Sequence, residues 1–531
     1  MLKIFKLSAI IAITGSVAFA QKSAPENWFN LDAKKNKVPG VSSERAYTEL
    51  LTNKKSTTIV VAVIDGGTEV VHEDLKNIIW VNEKEIPGNN IDDDNNGYVD
   101  DINGWSFLGG PGGDVVEETL ELTRIVRDGN KRFVGIEADK LNEKDAADFK
   151  LYQDTKKELT KRFNEAQGNV NIYKSLVSTI GKMQRYAGSE NPTAAQLADF
   201  TSTDPTEMAL SKRIVELVKK GVKLPDLKEQ IKGGLEHFEG STKYHLNIDF
   251  DPRNKVGDNP NDATERFYGC NRVSGPKGDH GTHVAGIIAA ARNNNIGMNG
   301  VADNVKIMVL RVVPDGDERD KDIANAIRYA ADNGAKIINM SFGKGFSPQK
   351  NVVDEAVEYA VQKGVLLVHA AGNDNNNIDT TNNFPRAIYL NNSVASSWLE
   401  VGASNWKSGK NIPADFSNYG KQTVDVFAPG VDIYSCIPES KYASFNGTSM
   451  ASPVTAGVAA LIWSYYPQLN AVQVKDIIMK SVVPVKGKVL IPGTKKKIKM
   501  TELCKTGGIV NAYQAIKLAD NITNNGTTIS K

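Results

Sequence analysis

Four short segments hold residues that could together break an acyl bond. Val63-Ile64-Asp65-Gly66-Gly67 ends an apolar run on a carboxylate, and His280-Gly281-Thr282-His283-Val284-Ala285-Gly286 opens a run of small residues on an imidazole. Ala370-Ala371-Gly372-Asn373 ends another apolar run on a side-chain amide. Gly447-Thr448-Ser449-Met450-Ala451-Ser452-Pro453 carries a hydroxyl where a helix should begin. A serine hydroxyl attacks a carbonyl only when a base takes its proton. An imidazole titrates near neutrality, so it can take that proton and return it to a leaving amine. A carboxylate behind the imidazole fixes its tautomer and stabilises the imidazolium. A side-chain amide and a backbone N–H at a helix N-terminus can hold the oxyanion that forms. Asp65, His280, Ser449 and Asn373 are therefore the candidate catalytic residues.

Each segment alone has a plainer reading. An Asp after a strand is commonly a turn residue, Ser in Gly-Thr-Ser commonly caps a helix, and Asn after Gly commonly sits in a turn. A lone His is often a core or capping residue. The combination argues otherwise. A secreted lipase or esterase would need Gly-x-Ser-x-Gly and the order Ser, Asp, His, which this chain lacks. A binding or chaperone protein on a decayed protease fold would be expected to have lost one of the four residues, and none is lost.

Positioning such groups requires a rigid sheet. Thr58 to Asp65 is a β-branched apolar run that reads as a fully buried strand. After Gly278 the pattern alternates. Helices are expected over 281–291, 322–333 and 352–363, and strands over 305–312, 336–340 and 365–370. Gly334 and Gly364 stop two of the helices. Late helices follow over 449–466 and 471–482. Strict alternation implies crossover units and a mostly parallel central sheet with helices on both faces, an α/β fold. In a parallel sheet, ligands bind at the C-terminal strand ends, where Asp65 and Asn373 fall. Residues 58–114 and 241–520 read as this domain, interrupted by a Glu-, Lys-, Leu- and Ala-rich helical insertion over 115–240. Residues 21–57 read as an N-terminal extension or short propeptide, and 521–531 as a disordered tail.

The order Asp, His, Ser with these flanks resembles the subtilases, the subtilisin-like serine peptidases. The resemblance covers Thr58 to about Gly113 and Tyr244 to about Ile516. It implies an endopeptidase acting on proteins or peptides, with Asp65, His280 and Ser449 as triad and Asn373 in the oxyanion hole. It also implies that Ser341, Phe342 and Gly343 form the edge that pairs with an extended substrate, and that Ala370, Ala371 and Gly372 share the pocket wall. Those walls carry no charge, so a large apolar residue is expected before the cut. His283 gains no catalytic role, and Phe427-Ala428-Pro429-Gly430 is a further family segment. There are departures. Gly66 stands where the family usually has Ser or Thr, 215 positions separate Asp65 from His280, and the stretch before Thr58 is short for an inhibitory prodomain.

Asp92-Asp93-Asp94-Asn95-Asn96-Gly97-Tyr98-Val99-Asp100-Asp101 reads as the first part of an EF-hand-type calcium loop. Asp92, Asp94 and Asn96 offer side-chain oxygens, Tyr98 its carbonyl, and Asp100 or Asp101 closes the shell. An acidic turn without metal is the alternative. The resemblance implies a second calcium site at Asp74, with Asn294 as its partner. No organic cofactor is expected.

The chain begins with Lys3 and Lys6, an apolar run from Leu7 to about Val17, and Ala18-Phe19-Ala20, the pattern of a signal peptide cut after Ala20. A secreted or periplasmic protein is expected, without a membrane span. Lysine and arginine number 64 against 63 acidic residues, a net charge of +1, so no bulk field points to nucleic acid. A monomer is expected. Three cysteines, Cys270, Cys436 and Cys504, exclude a dense disulfide framework, leaving one bridge or three thiols.

Overall fold

A computed structural model describes residues 24–137 and 141–525. The expected signal peptide, with its cut after Ala20, lies outside the described residues, as does the end of the tail.

The chain divides into two units, each with its own core. The larger holds residues 23–121 and 252–531 and is built on a nine-stranded sheet. Its strands are β1 (Ile59–Asp65), β2 (Gly104–Ser106), β3 (Val305–Arg311), β4 (Ile337–Met340), β5 (Leu366–Ala370), β6 (Trp398–Ser404), β7 (Val426–Pro429), β8 (Val483–Pro484) and β9 (Gly508–Ile509). The order across the sheet is β8-β9-β7-β6-β5-β4-β1-β3-β2, and all pairs are parallel except β8 with β9.

Alternation along the central strands explains the layers. Val61, Val63, Ile307, Val309, Leu366 and Val368 face one core, shared with Val284 and Ile287 and with Val454 and Val458. Ala62, Ile64, Met308, Leu310, Ile338 and Leu367 face the other, shared with Ile323, Ile327, Val353 and Val357. Both faces being buried, the strands read as continuous apolar runs.

The insertion unit, residues 122–251, holds most of α1 (Glu121–Arg132) and all of α2 (Glu143–Ala187), α3 (Pro205–Lys219) and α4 (Leu224–Gly240). In its core, Leu176, Ile180 and Met183 of α2 meet Ile214 and Leu217 of α3 and Leu227 and Ile231 of α4. The Asn142 side chain caps the start of α2 and Gly188, at φ 62°, ends it after 45 residues. The unit starts later than the expected Val115, because residues 115–118 belong to the larger unit. The Val115 carbonyl accepts from Arg311 Nη2, and Glu118 N donates to the Asp315 carbonyl at 2.8 Å.

Helices α5 (Asp279–Ala289), α6 (Asp320–Asp332), α7 (Lys350–Gln362), α8 (Thr448–Tyr465), α9 (Ala471–Lys480) and α10 (Ala512–Asn525) belong to the larger unit. Helix α10 runs past Asp520, into the stretch expected to be disordered. Both ends of the chain are sewn into one core. Trp28 and Phe29 are fully buried there, and Trp28 Nε1 donates to the carbonyls of Val431 and Asp432, each at 3.1 Å. Ala512 N donates to the Val41 carbonyl at 2.7 Å, and Asn511 Nδ2 to Ser42 Oγ at 2.9 Å. Removing a segment that carries a buried Trp and Phe would open the main core.

Candidate active site

Asp65 is the last residue of β1 and is buried. Its Oδ1 accepts from Gly66 N at 2.7 Å, so a backbone amide holds the carboxylate although Gly66 brings no side chain. Helix α5 begins beside it. A Cβ on Gly281 would lie 2.2 Å from the Gly67 carbonyl and 3.1 Å from Asp65 Cβ, so glycine is what lets this helix start approach the strand end. That approach brings His280 Nδ1 within 2.8 and 2.9 Å of the two Asp65 carboxylate oxygens. Nδ1 therefore carries the proton and Nε2 is left as the basic atom. Burial pulls the imidazole pKa down, but the Asp65 carboxylate outweighs it and the net shift is upward from 6.5.

Ser449 is the second residue of α8. Its Oγ donates to the Ser341 carbonyl at 3.0 Å, and Ser341 Oγ donates to the Ser449 carbonyl at 2.8 Å. Asn339 Nδ2 donates to Ser341 Oγ at 2.9 Å, and Ser452 Oγ to Asn339 Oδ1 at 2.8 Å, tying β4 to the start of α8. The sequence reading did not assign Asn339 or Ser452 a role. Their place in the Asn-Met-Ser-Phe-Gly and Gly-Thr-Ser-Met-Ala-Ser-Pro segments was the available signal.

Asn373 follows β5. Its Oδ1 accepts from Thr448 N at 2.8 Å and Thr448 Oγ1 at 3.0 Å, which orients the amide. A methyl placed on Gly447 would lie 3.5 Å from Ser449 N and 3.6 Å from Asn373 Nδ2. Two nitrogen donors thus flank one point that glycine leaves open.

Asp65, His280, Ser449 and Asn373 line one cavity of 490 Å³, together with Ser341, Phe342, Gly343, Ala370 and Gly372. Ala371 does not line it. Alternation along the extended chain turns Ala371 into a core with Ile378 and Phe427. Asp374, an exposed carboxylate next to Asn373, lines the cavity although the sequence reading did not single it out. His283 lies buried behind the site. Its Nε2 donates to the carbonyls of Ile433 and Ala443 at 2.9 and 3.1 Å, its ring stacks on Phe445, and burial drives its pKa down to about 3. The three cysteines are free thiols.

The acidic loop is arranged differently from the expected shell. Oxygens of Asp92, Asp94 and Glu85 lie within 4.8 Å of one another. Glu85 precedes the loop, outside the EF-hand spacing, so the motif could not reveal it. The expected closing residues also hold hydrogen bonds within and beside the loop. Asp100, at φ 54°, accepts from Gly88 N at 2.8 Å and Asn90 N at 2.9 Å. Asp101 accepts from Tyr329, from Asn82 Nδ2 at 2.7 Å and from Asn96 Nδ2 at 3.0 Å. Asn96 Oδ1 accepts from Tyr98 N at 2.8 Å, and the Tyr98 ring packs between Trp105 and Tyr329. At the second place, Asn294 Nδ2 donates to Asp74 Oδ1 at 2.6 Å, while Asp74 Oδ2 is buried without a hydrogen-bond partner. Burial raises the Asp74 carboxyl above its ordinary range. A buried carboxylate oxygen without a donor, and three clustered carboxylates, both suit a hard cation with oxygen ligands.

A family model described as the subtilase family matches residues 56–513. Thermitase of Thermoactinomyces vulgaris is 38% identical over 239 residues, 45% of this chain and 75% of that protein. Subtilisin DY of Bacillus licheniformis is 43% identical over 201 residues, 37% of this chain and 68% of that protein. A thermophilic serine proteinase of Bacillus sp. (strain AK1) is 46% identical over 187 residues, 35% of this chain, and the match spans 43% of that protein's length. Since the family match runs through all nine strands of the sheet and all four candidate segments, the chain belongs to the subtilase family.

Proposed function

We propose that the protein is an exported serine endopeptidase that hydrolyses peptide bonds of proteins through an acyl-enzyme. The observation that carries this reading is His280 Nδ1 held between both Asp65 oxygens at 2.8 and 2.9 Å, in the same cavity as Ser449. Ser449 Oγ leaves the Ser341 carbonyl, gives its proton to His280 Nε2 and attacks the substrate carbonyl carbon. Asp65 stabilises the imidazolium, and the N–H groups of Asn373 and Ser449 hold the oxyanion. The C–N bond then breaks as His280 returns the proton to the amine. Water repeats the sequence on the ester, releasing the acid and restoring Ser449. The edge at Ser341 to Gly343 supports pairing with an extended peptide.

Export rests on the charged start, apolar run and Ala18-Phe19-Ala20 of the sequence. No helix among the described residues is long and apolar enough to cross a membrane. Calcium, in this reading, is structural. Glu85, Asp92 and Asp94 would hold one ion and Asp74 with Asn294 a second, and each ion would neutralise clustered carboxylates without entering the reaction. The test of the activity is a serine-directed fluorophosphonate together with casein. Wild type should be labelled at Ser449 and digest casein, and Ser449→Ala should do neither. Casein digestion by the alanine variant at the wild-type rate would overturn the assignment.

A further inference from the structure

The even charge of the whole chain hides a local excess. Residues 485–505 hold seven lysines and one acidic residue, Glu502, so this segment carries +6 while the remainder sums to −5. The segment folds into a hairpin of strands Lys488–Leu490 and Lys497–Lys499. Val489 and Ile498 pair across it and turn inward, onto a core with Met500 and Leu503. Alternation then sends Lys488, Lys497 and Lys499 outward, and the turn adds Lys495 and Lys496. Lys486 is exposed as well. Lys488 stands directly opposite Lys499 in the register, a like-charge pairing that costs stability. None of these six lysines forms an ion pair with a described residue, whereas Lys505 is held by Asp425 and Glu502 by Lys421. The tip of the hairpin lies beside the cleft. Gly493, at φ 69°, donates its N–H to Asp415 Oδ1 at 3.1 Å, and a Cβ there would lie 2.7 Å from Asn375 Cγ. Asn375 is two residues past Asn373, and Asp374 between them lines the cavity that holds Ser449.

We propose that this hairpin is a docking surface for acidic stretches of the substrate polypeptide, outside the pockets that hold the residues around the cut. This rests on the endopeptidase reading. Two residues separate Asn373 from Asn375, and two to four separate Gly493 from Lys495, Lys496 and Lys497. At most ~3.6 Å of chain per residue then puts the lysines within reach of an acidic run about six residues from the cut. The cleft itself is lined by Asp315, Asp317 and Asp374, so carboxylates next to the cut are repelled and the acidic run must stand off from it. Lysines suit such a partner, because ammonium groups on flexible stems neutralise a run of carboxylates without fixing its geometry. The segment has neither arginine nor an aromatic residue, the groups that would grip phosphates in a fork or stack on bases. A substrate attached there presents its cut site at high effective concentration, which lowers KM more than it raises kcat.

The test uses quenched-fluorescence peptides built on one core that the enzyme cuts in casein. Each carries a run of four Glu or four Gln, set about six residues before the cut in one pair and after it in another. In one placement wild type should cleave the Glu peptide with kcat/KM ~10-fold or more above its Gln counterpart at low salt, mainly through KM. About 0.5 M NaCl should erase most of that difference. Joint replacement Lys495→Gln, Lys496→Gln and Lys497→Gln should bring the ratio near one and leave cleavage of the Gln peptide unchanged. A wild-type ratio near one in both placements overturns the proposal, as does an undiminished ratio in the variant. Fluorescence anisotropy of the same peptides on Ser449→Ala reads the surface without turnover, and equal binding of Glu and Gln peptides also overturns it. Retention on phosphatidylglycerol vesicles without a Glu preference would replace the acidic substrate by an anionic membrane. Fluorophosphonate labelling keeps the two readings apart. If Ser449 is labelled and the Gln peptide is cut, a missing Glu preference sinks the docking surface alone; without labelling or cutting, the endopeptidase reading fails, and anisotropy still decides the surface.

Discussion

In the proposed mechanism, Asn373 and Ser449 divide one task between a side-chain amide and a backbone N–H. Because Thr448 holds Asn373 Oδ1 from two sides, the Nδ2 donor is already aimed before charge develops. Asn373→Ala should therefore lower kcat by ~10²–10³, or about 2.7–4 kcal/mol, the size found for such a donor in subtilisin, with KM nearly unchanged. Steady-state kinetics decide this, since a change confined to KM would make Asn373 a substrate contact instead. In the proposed mechanism, His280 sets the acid limb of the pH profile. Its neutral form is the base, and Asp65 raises its pKa above 6.5. Activity should accordingly fall as pH drops through a value above 6.5, and a kcat/KM profile with its acid limb below 6.5 would contradict the pairing. At this scale the sequence was most legible where chemistry demands a residue type, as at Asp65 and Ser449. It was least legible where a side chain acts through its place in space. Glu85 sits in a polar turn, and nothing in its neighbours marks it.

The strands and helices were legible where burial on both faces leaves an unbroken apolar run, as in β1, β3 and β5. Strand β2 escaped because Gly104, Trp105 and Ser106 form only three residues of ladder, selected by pairing with β3. The long helix α2 read as helical, but its single span of 45 residues, about 67 Å, was not foreseen. Its apolar contacts shift from Phe133 and Tyr152 near the start to the α3 and α4 core near the end, so no one periodic stripe runs its length. The acidic loop yields a prediction for elements. An ion bound only by the folded state stabilises it by mass action. A chelator should therefore lower the wild-type melting temperature and speed autolysis. Asp92→Ala with Asp94→Ala should remove most of that response, and Glu85→Ala should weaken it. Melting curves that coincide with and without chelator would count against both calcium sites.

The insertion leaves the larger unit at Glu121 and returns at Pro252. Its first root is part of the cleft's surroundings, because Glu121 Oε2 accepts from Lys344 Nζ at 2.7 Å and Glu121 N donates to Asp317, which lines the cavity. The second root is fixed by Arg253, whose guanidinium is buried against Asp258 and Asp322. We propose that the insertion restricts access by folded substrates. Replacing residues 123–249 by a short Gly/Ser linker should leave small-peptide cleavage near normal and speed digestion of folded proteins. Equal rates on both substrate types would reduce the insertion to surface decoration. The stitching of the two chain ends has a consequence in time. A chain emerging N-terminus first presents Trp28 and Phe29 early, yet their partners at Val431 and Asp432 arrive some four hundred residues later, and helix α10 must still close over Val41. Contacts so far apart in sequence form late. A chain stopped before Ala512 should fail to melt cooperatively and should not react with a fluorophosphonate. That outcome would make the order of synthesis a timer for the proposed nucleophile.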